Sequence, residues 1–185
     1  ISVTGVQTCA LPILFSNVAV AARVAKSLGM ARVAVIDFDV HHGNGTQAAF
    51  EADDSLFLGS IHQSPLYPGT GMESETGVGN IVNATVPPHA PREVWRHAFE
   101  TRLIAALDAF RPDLVMVSAG FDAHRRDPLA HQSLEEADYA WATRAIVEAA
   151  TTSAGGRVVS SLEGGYDLEG LGRSAVAHVQ ALQED

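Results

Sequence analysis

Asp37, Asp39 and His41 alternate along one short segment, and alternate side chains of an extended chain leave it on the same side. Two carboxylates and an imidazole together suit a divalent metal, because zinc accepts both imidazole nitrogen and carboxylate oxygen. A catalytic zinc takes three protein ligands and keeps a fourth position open for water. Asp39 and His41, joined by Asp122 from a later strand end, would supply that set. Asp37-Phe38-Asp39 by itself favours the plainer reading, a solvated strand end. The continuation Val40-His41-His42-Gly43-Asn44-Gly45 makes the segment specific. His42 follows His41 directly and must point to the opposite side, as a packed, hydrogen-bonded residue. The only cysteine is Cys9, so neither a disulfide framework nor a thiolate metal cluster is available.

The elements that must carry these residues alternate between helix-like and strand-like, the pattern of an α/β domain with a parallel sheet. An alanine-rich helix is expected over residues 17–28, capped by Ser16 and ended by Gly29. Buried strands are expected at 32–37, 55–61, 113–118 and 157–162, with a short helix at 46–51. Residues 62–78 form a Gly- and Pro-rich loop, long for a compact domain and suited to lining a site. One amphipathic helix is expected from Pro91 to Phe110. Ser133 and Glu136 read as a capping box opening a helix to Ala154, and Asp167 as the cap of a last helix to Gln183. Three strands end on polar, chemically able residues: Asp37 to His41, Gly120-Phe121-Asp122, and Glu163-Gly164-Gly165-Tyr166. Ligands of open parallel sheets sit beyond such carboxyl ends.

The chain has 185 residues, 46% of them hydrophobic, enough for one domain with a real core. Its formal net charge of −10 argues against a broad basic face for nucleic acid. No apolar run approaches the roughly 18 residues of a membrane span, and no signal peptide is visible, so a cytoplasmic location is expected. Residues 3–13 read VTGVQTCALPI, residue by residue the translation of a common sequencing-adapter end. Residues 1–13 are therefore expected to be an artefact, with 14–185 as the protein domain.

Four motifs stand in order: DVHHGNGT at Asp39 to Thr46, YPGTG at Tyr67 to Gly71, SAGFDAHRRDPL at Ser118 to Leu129, and LEGGY at Leu162 to Tyr166. In these the chain resembles the histone deacetylase family of the arginase–deacetylase superfamily, over nearly all of residues 15–183. Asn44 and Gly120-Phe121-Asp122 resemble its class II and bacterial branches. The resemblance implies a three-layer α/β/α fold, incomplete at the N-terminus, and zinc ligation by Asp39, His41 and Asp122, with ferrous iron as the other candidate metal. It implies that the Tyr166 hydroxyl points at the substrate carbonyl, as a donor to the developing oxyanion. It implies that Tyr67, with Gly120, Phe121, Gly164 and Gly165, lines a narrow acyl-lysine tunnel. Asp37 is expected behind the ligands. A potassium ion is implied at Asp37, Asp39, Ser60 and the carbonyls of His41 and Ile61, with His42 and Asn44 close by. For His62, His89, His97, His124, His131 and His178 supporting or surface roles are expected, with His124 and Arg125 near the rim.

The family's Gly-His-His stretch, whose histidines serve as base and acid, would fall where the adapter-like residues stand. Activity is therefore expected of the parent protein and little of this chain, which should also be poorly stable with its first strands lacking. The substrate class is an acetylated lysine or acetylpolyamine, and the oligomeric state is left open. Two rivals stand beside this reading. A dimanganese ureohydrolase needs a second carboxylate-rich motif, where Gly120-Phe121-Asp122 supplies one ligand. A non-catalytic metal- or acyl-binding relic has no use for Tyr166.

Overall fold

A computed structural model describes residues 16–184; the adapter-like stretch lies outside the described residues. Five strands, β1 (Val33–Asp37), β2 (Leu56–Gln63), β3 (Ile81–Val86), β4 (Leu114–Ala119) and β5 (Val158–Leu162), form one sheet in the order β3-β2-β1-β4-β5. Every neighbouring pair is parallel. Parallel neighbours need crossovers: helix α2 (Asn44–Phe50) lies between β1 and β2, α3 (Arg92–Ala98) and α4 (Ala105–Phe110) between β3 and β4, and α5 (Glu136–Ser153) between β4 and β5. β2 and β3 are joined by a loop, and α1 (Asn17–Ser27) and α6 (Leu168–Leu182) flank the sheet at the two ends of the chain order. β1 and β2 are buried along their whole length, which is why they read as apolar runs rather than alternating patterns. Successive residues of β1 feed opposite layers. Val33 and Val35 pack with Val18 and Ala22 of α1 and Phe50 of α2, whereas Ala34 and Ile36 join Trp95, Leu107, Tyr139 and Ile146. The result is the three-layer α/β/α arrangement expected.

Most boundaries follow local chemistry. Ser16 caps α1 by accepting from the Ala19 amide at 3.3 Å, and Asp167 caps α6 by accepting from the Gly170 amide at 2.7 Å. Three details depart from the sequence reading. The capping box of α5 is Glu135 with Asp138, not Ser133 with Glu136. Asp138 is fully buried and held by Arg96 at 2.6 Å, so this tertiary ion pair sets where the helix begins. The segment from Pro91 to Phe110 is helical, but α3 and α4 are joined by a π-helical turn over Phe99–Ile104. Trp95 and Phe99 stack at 5.0 Å on either side of that junction. Strand β3 was not expected at all. Its central Asn83 is a poor strand former, and its amide donates at 2.9 Å to Gln47 of α2, a partner 36 residues away.

One row of the sheet is polar from edge to edge. Asn83, Ser60, Asp37, Ser118 and Ser161 stand in register on five adjacent strands, so their side chains share one face. Asp37, Ser118 and Ser161 lie at or one step from the carboxyl ends of β1, β4 and β5, whereas β2 and β3 run on past Ser60 and Asn83. Residues 64–80, which follow β2, contain no helix or strand, as expected of the long loop.

Candidate metal centre

The chain leaves β1 as Phe38-Asp39-Val40-His41, with Phe38 and Val40 still in the core. Alternation then turns Asp39 and His41 together towards the sheet end. β4 ends at Ala119, and two residues later the Phe121 ring packs on Phe38 at 6.0 Å and Tyr139 at 5.1 Å. That anchor delivers the adjacent Asp122 to the same place. One ligand atom from each of Asp39, His41 and Asp122 lies within 4.8 Å of the other two.

Both carboxylates are fixed by backbone bonds. The Val40 amide donates to Asp122 Oδ1 at 2.8 Å, the Gly164 amide to Asp39 Oδ2 at 2.9 Å, and the His41 amide to Asp39 Oδ1 at 2.9 Å. Behind them Asp37 Oδ1 accepts from the Asp39 amide at 3.0 Å. His41 Nδ1 sits 2.9 Å from Asp122 Oδ2 and 3.1 Å from Asp39 Oδ1. Hydrogen bonds to Asp122 and then Asp39 raise the His41 imidazole to about 10, against desolvation. Burial, and next the charge of Asp39, push Asp122 up to about 7. Burial and Asp39 likewise hold Asp37 well above the usual carboxylate range. Anionic groups this crowded and this dry call for positive charge, which a proton on His41 supplies and a divalent cation supplies better.

Glycines keep the place open. A Cβ on Gly164 would stand 2.6 Å from Asp39 Oδ2 and 2.8 Å from Asp122 Cγ, and one on Gly120 would stand 2.6 Å from the Asp39 Cβ. The donor set of two carboxylate oxygens and one imidazole nitrogen, with no side chain beside it at Gly120 or Gly164, fits a zinc-type ion.

The other expected residues are distributed around this trio. His42 faces away from it: Nδ1 is 2.8 Å from the Thr70 hydroxyl and Nε2 is 2.9 Å from Gln47 Oε1. Ser60 is buried and pairs with His62 Nδ1 at 3.0 Å, and Ile61 is fully buried. The Asn44 side chain is exposed, at the start of α2. Tyr67 is 80% exposed on the long loop, and the Phe121 ring is buried in the core. Gly165 adopts φ +142° and turns the chain beneath Leu171. Tyr166 follows it, half exposed, its amide donating to Asp127 Oδ2 at 2.7 Å.

Further residues help to build the site, among them Glu75, to which the sequence reading gave no role. Glu163, half buried and lifted by burial and by Asp39, is hydrogen-bonded by Ser118 and Ser161 of the polar row. Glu75 gathers the long loop, accepting from the amides of Gly71 at 3.0 Å and Met72 at 2.9 Å and from Gln47 at 2.6 Å. His62, lowered to about 4 chiefly by burial, bonds the Gly71 carbonyl at 3.0 Å. Carboxylates at Glu75 and Asp127 have no local signature, because their partners are backbone amides elsewhere in loops.

Comparison with known proteins shows the family and the fold. Residues 13–182 match the histone deacetylase domain family model. Histone deacetylase 14, chloroplastic, of Arabidopsis thaliana is 42% identical over 174 residues, covering 91% of this chain and 41% of that protein. The crystal structure of the HDA15 HD domain superposes with TM-score 0.83 at 39% identity, covering 90% of this chain and 48% of the other. Acetylpolyamine aminohydrolase from Burkholderia pseudomallei superposes with TM-score 0.82 at 30% identity, over 90% of this chain and 48% of that one. The chain thus spans about half the length of the relatives it matches. With the four motifs, the three-layer fold and a family match over residues 13–182, the chain belongs to the histone deacetylase domain family.

Proposed function

We propose that the protein containing this chain is a zinc-dependent deacetylase, hydrolysing the amide of an acetylated lysine or an acetylated polyamine to the free amine and acetate. The convergence of Asp39, His41 and Asp122 on one point at the strand ends carries this reading. Bound there, zinc supplies a Lewis acid for the amide carbonyl and lowers the pKa of an attacking water, and ferrous iron suits the same donors.

The chain's own residues do the rest. Asp37 orients the Asp39 backbone, Gly164 holds Asp39 Oδ2, and Gly120 and Gly164 let the backbone approach the two carboxylates where a Cβ would collide with them. Tyr166 donates its hydroxyl to the carbonyl oxygen as negative charge develops there, and does so without bringing charge of its own. Tyr67, Gly120, Gly164 and Gly165 form the substrate channel, Tyr67 at its outer end; Phe121, expected in that wall, is instead packed in the core against Phe38 and Tyr139. Asp37, Asp39, Ser60 and the carbonyls of His41 and Ile61 hold a potassium ion beside the site, where the Asp37 carboxylate is dry and crowded by anions. A cytoplasmic location is part of the same proposal, and no helix among the described residues is long and apolar enough to cross a membrane.

Among the described residues the buried histidines His42, His62 and His178 are hydrogen-bonded away from the trio, whereas His124, also buried, accepts from the Arg126 amide at 3.3 Å and has its Nε2 3.9 Å from Glu136. The family's Gly-His-His stretch would fall among residues outside the described ones, and on that ground we expect the 185-residue chain alone to turn over weakly compared with the product of the complete gene. The test is Tyr166→Phe in that complete protein. Its kcat on an acetyl-lysine peptide falls about 100- to 1,000-fold while the bound zinc is unchanged. An undiminished kcat would remove Tyr166 from the chemistry.

A further inference from the structure

The long loop after Asp122 and the segment after β5 meet at one carboxylate. Asp127 is 7% exposed and carries two backbone bonds: Oδ2 accepts from the Tyr166 amide at 2.7 Å and Oδ1 from the Leu129 amide at 2.9 Å. Its own amide donates to the His124 carbonyl at 2.8 Å, which ties it to the turn that follows Asp122. Tyr166 is reached through Gly165 at φ +142°, a conformation with little intrinsic preference for one direction of exit. On the N-terminal side of that glycine the chain is pinned, since the Gly164 carbonyl accepts from Phe121 at 2.7 Å and its amide bonds Asp39. The bond to Asp127 is the corresponding pin on the far side. A charged acceptor shared by two amides also holds each more firmly than a neutral one.

We propose that Asp127 is the positioning residue of Tyr166, fixing the direction in which that side chain leaves the glycine turn and hence where its hydroxyl stands relative to Asp39, His41 and Asp122. The inference rests on the deacetylase reading of Tyr166. Asp127 touches neither substrate nor metal; it sets the geometry that the oxyanion donor needs. Asp127→Asn keeps the shape but can accept from only one of the two amides at a time, because the amide NH2 replaces the second acceptor. Asp127→Ala accepts from neither.

The test combines kinetics with amide hydrogen exchange on the zinc-loaded product of the complete gene. In the unaltered protein the Tyr166 amide is protected although the residue is half exposed; fast exchange there would overturn the premise without any variant having to fold. Asp127→Asn speeds that exchange and lowers kcat by about tenfold or more, with KM and zinc content unchanged, the ceiling being the roughly 100- to 1,000-fold cost of losing the donor itself. In a Tyr166→Phe background the same substitution costs less than about twofold, since there is no hydroxyl left to misplace. An equal loss in both backgrounds, or faster exchange with undiminished kcat, overturns the inference. If Tyr166→Phe alone leaves kcat intact, the reading of Tyr166 fails first and the role of Asp127 falls with it.

Discussion

Gly164→Ala tests the metal centre through a group too small to be a ligand. The added methyl would stand 2.6 Å from Asp39 Oδ2 and 2.8 Å from Asp122 Cγ. Ordinary non-bonded contact begins near 3.5 Å, so both carboxylates must retreat by about 0.7 to 0.9 Å. Coordination distances in a working zinc site hold to about 0.2 Å. The trio is also braced from behind, Asp39 by the Gly164 amide itself and Asp122 by the Val40 amide, so it has little freedom to re-form. We expect zinc affinity to fall at least about 100-fold, equivalent to about 2.7 kcal/mol. Competition against a chromophoric chelator measures it directly. Gly172→Ala is the control: nothing lies within 4 Å of its added methyl, and in the interior of α6 it should leave affinity alone while adding about 0.5 to 1 kcal/mol of stability. Gly164→Ala binding zinc within about threefold of the unaltered protein would refute the crowded-centre reasoning.

Further outcomes follow from the packing. His178 is buried between Thr143, at 2.6 Å, and Ser160, at 2.8 Å, and burial lowers it to about 4. Its unfolded pKa is near 6.5, so between about pH 6.5 and 4 the unfolded chain binds a proton that the folded one does not, and stability is lost as pH falls through that window. The loss reaches about 3 kcal/mol by pH 4, and urea titrations of His178→Gln should show a shallower decline. Leu103→Ala empties a fully buried position and should cost about 2 to 5 kcal/mol in the same assay, with zinc affinity unchanged. Glu75→Gln removes the charge that gathers the amides of Gly71 and Met72. It should raise KM for an acetyl-lysine peptide several-fold, because Tyr67 lies on that loop, while leaving zinc content as it was.

Those features that depend on local periodicity could be seen in the sequence. Alternation through Phe38 and Val40 separates the buried residues from Asp39 and His41, and the apolar runs of β1 and β4 mark the middle of a parallel sheet. Features held by distant partners could not be seen. β3 contains Asn83, whose stabilising contact is Gln47, and the start of α5 is set by Arg96 acting on Asp138. The polar row from Asn83 to Ser161 becomes visible only when five strands are brought into register. Asp127 has no neighbour in sequence that marks its partner, the Tyr166 amide 39 residues on. Sequence spacing therefore exposed the three candidate ligands, whereas the groups that brace them depend on tertiary structure.

In the proposed deacetylase Asp39, His41 and Asp122 hold one catalytic metal. This is tested most directly by measuring acetyl-lysine peptide hydrolysis and bound zinc together, in the product of the complete gene and in its Asp122→Ala variant. The account predicts about one zinc and measurable turnover in the first, and loss of both in a variant that remains folded by circular dichroism. Undiminished turnover by Asp122→Ala, or turnover that survives full removal of metal, would contradict it.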